Sequence, residues 1–224
     1  MGGIVKSTLA EQVYRDLRER IMAGEFAAGH KLLAEDLSRA LSVSPTPVKE
    51  ALAMLAQDGL VDASARKITR IRQFSRRAVH ELYDARIMIE SQAVRTGFAA
   101  GRVTADFLER LASAADSYDR EAQHHTGPAL KAVQAFDQAL HLLIGSLADN
   151  DLVAEWHGRI LRQVQTARIW SVGNYAFDAA RQEHAAIMHS FRAGQEAAVI
   201  EALVRHLKRS DNDLSATMPA DGEA

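Results

Sequence analysis

The sequence predicts a mainly α protein in two parts. A small winged helix-turn-helix occupies residues 1–74, an all-α helical bundle occupies 75–214, and a disordered tail closes the chain over 215–224. Two observations carry this. Apolar residues recur at helical spacing in the first sixty residues, then give way to a short basic stretch of strand-like pattern. From about Ser75 the chain is almost purely helical in period, broken only at a few turn residues.

The first helix is STLAEQVYRDLRERIMAGEF (7–26). Leu9, Val13, Leu17 and Ile21 face one way, and Arg15, Asp16, Arg18 and Glu19 the other. Gly24 is its natural stop. Gly29 marks a turn before HKLLAEDLSRAL (30–41), where Leu33, Leu37, Ala40 and Leu41 repeat at helical spacing. The third helix opens with SPTPV. Two of the chain's four prolines, Pro45 and Pro47, stand here one residue apart. The first helical turn has N–H groups without partners inside the helix, so proline loses nothing there and its fixed φ suits the helix. Ser44 is the expected N-cap of a helix over about 45–57. Only Ser42–Ser44 join the second and third helices. Spacing by itself leaves two readings open, a DNA-reading helix-turn-helix and an ordinary αα-hairpin.

DGLVDASARKITRIRQF (58–74) changes period. Leu60, Val61, Ile68 and Ile71 sit among Arg66, Lys67, Arg70 and Arg72, which reads as two short strands around a basic turn. Beyond it, helices are expected at about 76–100, 104–122, 127–147, 150–172, 176–193 and 195–214. Gly101, Thr126-Gly127-Pro128, Asp149-Asn150 and Gly194 punctuate them. Six helices of this length make a bundle.

Composition narrows the function. Net charge is −2, but residues 1–77 hold 13 Lys/Arg against 9 Asp/Glu, and residues 78–224 hold 14 against 20. A polyanionic partner would meet the front part. The 224 residues contain no cysteine, so disulfides and thiolate chemistry are excluded. No apolar run approaches a membrane span and no long apolar leader opens the chain. The expectation is a soluble cytoplasmic protein.

LRERIMAGEFAAGHKLLAEDLSRALSVSPTPVKEALAMLAQDGLV (17–61) resembles the front domain of a GntR-family transcription regulator of the FadR type. The likeness lies in the LR-xx-I-xx-G opening, the LA-xx-L helix and the VS-x-TPV-x-EAL run, with spacing intact. LYDARIMIE (82–90), FDQALHLLIGSLADN (136–150) and QEHAAIMHSFRAGQEAAVIEALVRHL (182–207) are similar to the all-helical effector domain called FCD, in its shorter, six-helix form. The resemblance implies a homodimer that binds operator DNA through the 45–57 helix and responds to a small carboxylic acid. It also implies a regulator, most often a repressor, and not an enzyme. Ser44, Lys31, Arg39, Thr46, Lys49, Arg66, Lys67 and Arg70 are the expected DNA-facing residues. Three positions depart from the family pattern. Pro45 stands where the family usually has arginine, Lys49 replaces an arginine, and Ile68 replaces a wing glycine. Lysine keeps the charge but loses the bidentate fork that reads guanine. The expectation is DNA binding with altered specificity.

Asp137 and His141 lie i, i+4 on one helical face, and carboxylate oxygen and imidazole nitrogen both ligate divalent metals. Alone, such a pair is equally a surface or core feature. The resemblance adds more: in metal-binding FCD domains an Asp-x₃-His and one histidine from each closing helix meet inside the bundle. Here those positions are Asp137, His141, His184 and His206, implying a zinc, nickel or manganese ion. Tyr83, Arg86 and Glu90 share a face of the first bundle helix. A buried Arg86 would need an anion, supplied by an effector carboxylate or by an acid such as Glu90. His30 and His157 are expected to be exposed, His189 faces away from His184, and His124-His125 falls in a loop. Trp156, Trp170 and Tyr175 are expected to pack. Two alternatives stay open: a metal-dependent hydrolase or oxygenase-like enzyme, and a degenerate regulator with weak DNA binding.

Overall fold

A computed structural model describes residues 7–63, 68–122, 127–169 and 176–220. The chain forms two units. The first runs through Phe74 and takes in a short stretch from Gln165; the second begins at Ser75 and holds the rest.

In the first unit, α1 (Leu9–Met22) opens with a capping box. The Glu11 N–H donates to Thr8 Oγ1 at 3.1 Å, and the Thr8 N–H donates to Glu11 Oε2 at 2.9 Å. Two otherwise unpaired helix-end donors are thereby satisfied. One face of α1 buries Val13, Leu17 and Ile21. Gly29, at φ +74°, turns the chain into β1 (Lys31–Leu32), then α2 (Ala34–Ala40), α3 (Pro45–Gln57), β2 (Val61–Ala63) and β3 (Thr69–Ile71). The sheet order is β1-β3-β2, antiparallel throughout, with Lys31 opposite Arg70 and Val61 opposite Ile71.

This corrects two expectations. Residues 31–32 are a third strand rather than the start of the second helix, and the core takes Leu32 and Leu37 while Leu33 is 44 % exposed. The His30 C=O and Gly29 N–H both bond to Ile71, so the sheet claims this backbone before the helix begins. Ser44 does stand at the N-cap of α3, but its side chain makes no capping bond. The next residues narrow its choice: an N-cap oxygen bonds the N–H of N2 or N3, and Pro47 at N3 has none, which leaves only Thr46. Pro47 instead is buried with Val48, Ala51, Leu52 and Leu55.

The second unit holds α4 (Arg76–Ala99), α5 (Ala105–Ala122), α6 (Gly127–Ser146), α7 (Asp151–Ile169) as far as Val164, α8 (Phe177–Arg192) and α9 (Glu196–Ser215). Helix α4 packs on α6 and α9, α5 on α6 and α8, and α8 on α9. Phe191 joins three of them, stacked on Phe98 of α4 and tilted on Phe107 of α5. The chain beyond α9 does not dangle over residues 216–220. The Pro219 C=O accepts from the Arg76 N–H at 3.1 Å. Among the described residues, no helix is long and apolar enough to cross a membrane.

Candidate metal centre and nucleic-acid interface

Helix α6 places Asp137 and His141 one turn apart, α8 contributes His184, and α9 contributes His206. One ligand atom from each lies within 4.8 Å of the others. Asp137 Oδ1 is 3.6 Å from His141 Nε2, 3.3 Å from His184 Nε2 and 3.8 Å from His206 Nε2. His206 Nε2 is 3.3 Å from His141 Nε2 and 3.2 Å from His184 Nε2. All three histidines are buried, at 2 % exposure or less.

The second nitrogen of two rings is already committed. Glu90 Oε2 lies 2.6 Å from His141 Nδ1, and Glu183 Oε2 lies 2.8 Å from His206 Nδ1. Burial pushes the Glu90 carboxyl up, but His141 and Arg86 beside it hold it well below the usual carboxylate range. Glu183 sits at about 2, its burial outweighed by the bonds from His206 and Arg209. Ionised carboxylates only accept, so both Nδ1 atoms carry the proton. When these two rings are neutral, their lone pairs are left on Nε2, beside each other and Asp137 Oδ1. Asp137 is also held well below its ordinary value: burial raises it, and His141 more than offsets that. Lone pairs and a carboxylate gathered this closely repel unless a proton or a cation sits among them. Ring N–H groups anchored by carboxylates are the usual support of metal-ligating histidines. Two nitrogens that each lie about 2.0–2.1 Å from one ion stand roughly 3 Å apart, close to the 3.3 and 3.2 Å between these Nε2 atoms. The donor set fits a divalent metal.

The rings differ in how they hold a proton. Burial lowers His141, yet Glu90 raises it further, and its net shift is upward. His184 is lowered to about 4, first by burial and then by His206. Its Nδ1 is buried without a hydrogen-bond partner.

Arg86 and Tyr83 are both buried, with the guanidinium carbon 5.3 Å from the Tyr83 ring centre. Arg86 Nε donates to Glu90 Oε1 at 2.9 Å, which is the ion pair considered from sequence. Arg86 Nη2 is also buried but has no partner, so one donor remains for a further acceptor.

Two expectations about the bundle are corrected. His157 is buried rather than exposed, at 1 %, and its Nε2 lies 3.0 Å from Glu90 Oε1. Trp156 is half-exposed, at 51 %, rather than packed. The cause is the phase of α7. Leu152 and Trp156 form one apolar stripe, but the helix buries His157, Leu161 and Val164 instead. Glu183 was missed because it precedes His184 in sequence yet serves His206, a pairing set by α8 lying on α9. Its spacing from Arg209, whose Nε donates to Glu183 Oε1 at 2.7 Å, carries no sequence signal. His30 is exposed as expected, and His189, expected on a different face from the buried His184, is exposed as well. His124, His125, Trp170 and Tyr175 lie outside the described residues.

On the first unit, Lys31, Arg39, Ser44, Thr46, Lys49 and Arg70 are all exposed. Thr46 and Lys49 are i, i+3 on α3 and so share a face. Arg39 is paired with Asp36, and Arg70 Nη1 reaches the Gly29 C=O at 3.3 Å. Arg66 and Lys67 lie outside the described residues.

A winged helix with a polar, exposed third-helix face, followed by a helical bundle, is the architecture of a transcription regulator. The profile of bacterial regulatory proteins of the gntR family matches residues 9–71, and that of the FCD domain matches 81–209. The chain belongs to the GntR family of transcriptional regulators that carry an FCD domain. It is 24 % identical to the HTH-type transcriptional regulator YdhC of Bacillus subtilis, over 87 % of this chain and 86 % of that one. It is 24 % identical to a probable D-xylose utilization operon transcriptional repressor of Paenarthrobacter nicotinovorans, over 91 % and 88 %. Among solved structures, a GntR regulator from Rhodococcus sp. RHA1 superposes with a TM-score of 0.81 at 24 % identity, covering 94 % of this chain and 99 % of that one. E. coli McbR/YncC gives 0.76 at 17 % identity, covering 94 % and 99 %. These likenesses bear on the fold. The family consists of transcriptional regulators, which are not enzymes, and the hydrolase or oxygenase alternative is set aside.

Proposed function

We propose that the protein is a homodimeric repressor whose hold on operator DNA is controlled by a small carboxylate bound at a divalent metal in the bundle. The observation that carries the metal is the convergence of three Nε2 atoms on Asp137 Oδ1, with two of the three rings anchored through Nδ1. Zinc, nickel and manganese all suit such ligands. Asp137, His141, His184 and His206 would hold the ion, and on a five- or six-coordinate metal these four ligands leave a position for an effector oxygen. The partnerless Arg86 Nη2 supports an anionic effector, since a buried guanidinium donor gains most from a carboxylate.

On the DNA side, α3 enters the major groove, presenting Thr46 and Lys49. Ser44, its hydroxyl not used as a cap, stands with them at the helix start. Lys31, Arg39, Arg66, Lys67 and Arg70 serve the phosphates. Two half-sites require two winged helices, hence the dimer. A relative named as a probable repressor fits this sign of control.

The test is binding to duplexes drawn from the region upstream of the protein's own gene, at several salt concentrations, with and without metal and a panel of mono- and dicarboxylates. Affinity should fall steeply with salt as released counterions dictate, and one class of carboxylate should weaken the metal-loaded complex. Failure to bind any fragment at low salt would favour a degenerate regulator, folded but poor at DNA.

A further inference from the structure

Helix α7 supplies no member of the four-residue cluster, yet it sends a histidine into the bundle beside it. We infer that His157 is a positioning residue for the metal centre, acting through Glu90 on His141. This rests on the metal reading given above.

Glu90 is fully buried and its two oxygens are used differently. Oε2 takes the His141 Nδ1–H at 2.6 Å, while Oε1 takes Arg86 Nε–H at 2.9 Å and faces His157 Nε2 at 3.0 Å. An ionised carboxylate accepts, so His157 Nε2 carries a proton and donates it. Two donors on Oε1 fix the plane of the carboxylate. That plane aims Oε2, and Oε2 aims the His141 ring. Arg86 is a poor sole anchor, because its Nη2 is open to another acceptor. A guanidinium drawn toward an incoming anion would loosen its bond to Glu90. His157 belongs to a different helix and holds Oε1 whatever Arg86 does.

A second observation shows that room is reserved for this ring. Gly145 stands one turn after His141 on α6, and a Cβ there would lie 2.3 Å from His157 Nδ1 and 2.8 Å from its Cε1. The φ of Gly145 is not in the left-handed region, so its backbone does not ask for glycine. The space does. A buried imidazole costs more than an apolar side chain of similar size unless its polar atoms are used, and here Nε2 is used on Glu90.

The experiment measures zinc affinity of the full-length protein by competition with a chromophoric chelator. It uses the wild type, His157→Ala, His157→Gln, Gly145→Ala and the Gly145→Ala/His157→Ala pair. Melting of the zinc-free proteins is followed in parallel. Outer-shell partners of metal ligands are worth about 10–100-fold in affinity, and His157 acts one bond further out. His157→Ala should therefore weaken zinc about tenfold. His157→Gln, which keeps an N–H donor, should recover most of that loss. Gly145→Ala should weaken zinc as much as His157→Ala does, and the double variant should lose no more than either. A histidine that merely packs would move the zinc-free melting temperature and leave affinity alone. Wild-type affinity in His157→Ala overturns the inference, as does an equal loss in His157→Gln. If His157→Ala does not fold, Gly145→Ala and His157→Gln decide by the same criteria. Absence of zinc, nickel and manganese binding by the wild type overturns the metal reading itself and this inference with it.

Discussion

At the scale of single residues, the centre depends on which nitrogen of each ring holds the proton. Glu183 sets this for His206 and is itself held by Arg209. Glu183→Gln should therefore lower metal affinity by about tenfold or more, because an amide presents a donor as readily as an acceptor and no longer fixes the tautomer. Isothermal titration with zinc checks this; unchanged affinity would show that His206 needs no such support. The same carboxylate has a pH signature. Its folded value of about 2 lies below the ordinary 4.5, so it stabilises the fold above about pH 4.5 and loses that contribution as pH falls toward 2. The part of the acid destabilisation that lies in this window should be smaller in Glu183→Gln, measured as melting temperature against pH in the zinc-free protein. Asp137 and His141 were legible in sequence because a helix puts i and i+4 on one face. Glu183 and His157 were not. One serves a neighbouring helix rather than its own, and the other lies on the less obvious of two faces of α7.

At the scale of elements, helix boundaries were largely legible, since glycine, proline and cap residues mark backbone geometry directly. What escaped was decided by pairing between distant segments. β1 exists because β3 comes back beside it, and no local pattern in Lys31–Leu32 says so. The two helix starts in the first unit make a contrast that can be measured. Thr8 caps α1 reciprocally with Glu11, whereas Ser44 makes no side-chain cap on α3. Thr8→Ala should cost about 1 kcal/mol of folding stability. Ser44→Ala should cost less than half of that, while weakening DNA binding if its hydroxyl meets the duplex. Chemical denaturation of both variants tests the first statement, and a binding titration the second. Lys49→Ala belongs with them. It removes one exposed charge from the α3 face, so DNA affinity should drop and the slope of log affinity against log salt should lessen by about 1, with the melting temperature unchanged. An unaltered slope would mean that this face of α3 does not meet phosphate.

At the scale of the whole molecule, the four-residue cluster joins α6, α8 and α9, so an ion held there would restrain three helices that the chain connects only through loops. Any ligand selective for the folded state stabilises it, by about 2.7 kcal/mol when present at a hundred times its dissociation constant. Added zinc should raise the melting temperature and chelator should lower it again. The effect has a required pH dependence, because each imidazole must be neutral to ligate. His184, at about 4, is already neutral near pH 7. Burial lowers His141 and Glu90 raises it further, to a net upward shift, so the ion competes with a proton there. Zinc stabilisation should therefore be largest at mildly alkaline pH and shrink steadily as pH falls through the histidine range. His184→Ala should lose most of the metal and most of the zinc-dependent rise in melting temperature. His189→Ala, five residues on and exposed, should lose neither. Equal zinc responses in the two variants, or a response that grows with acidity, would show that Asp137, His141, His184 and His206 gather for packing and not for a metal.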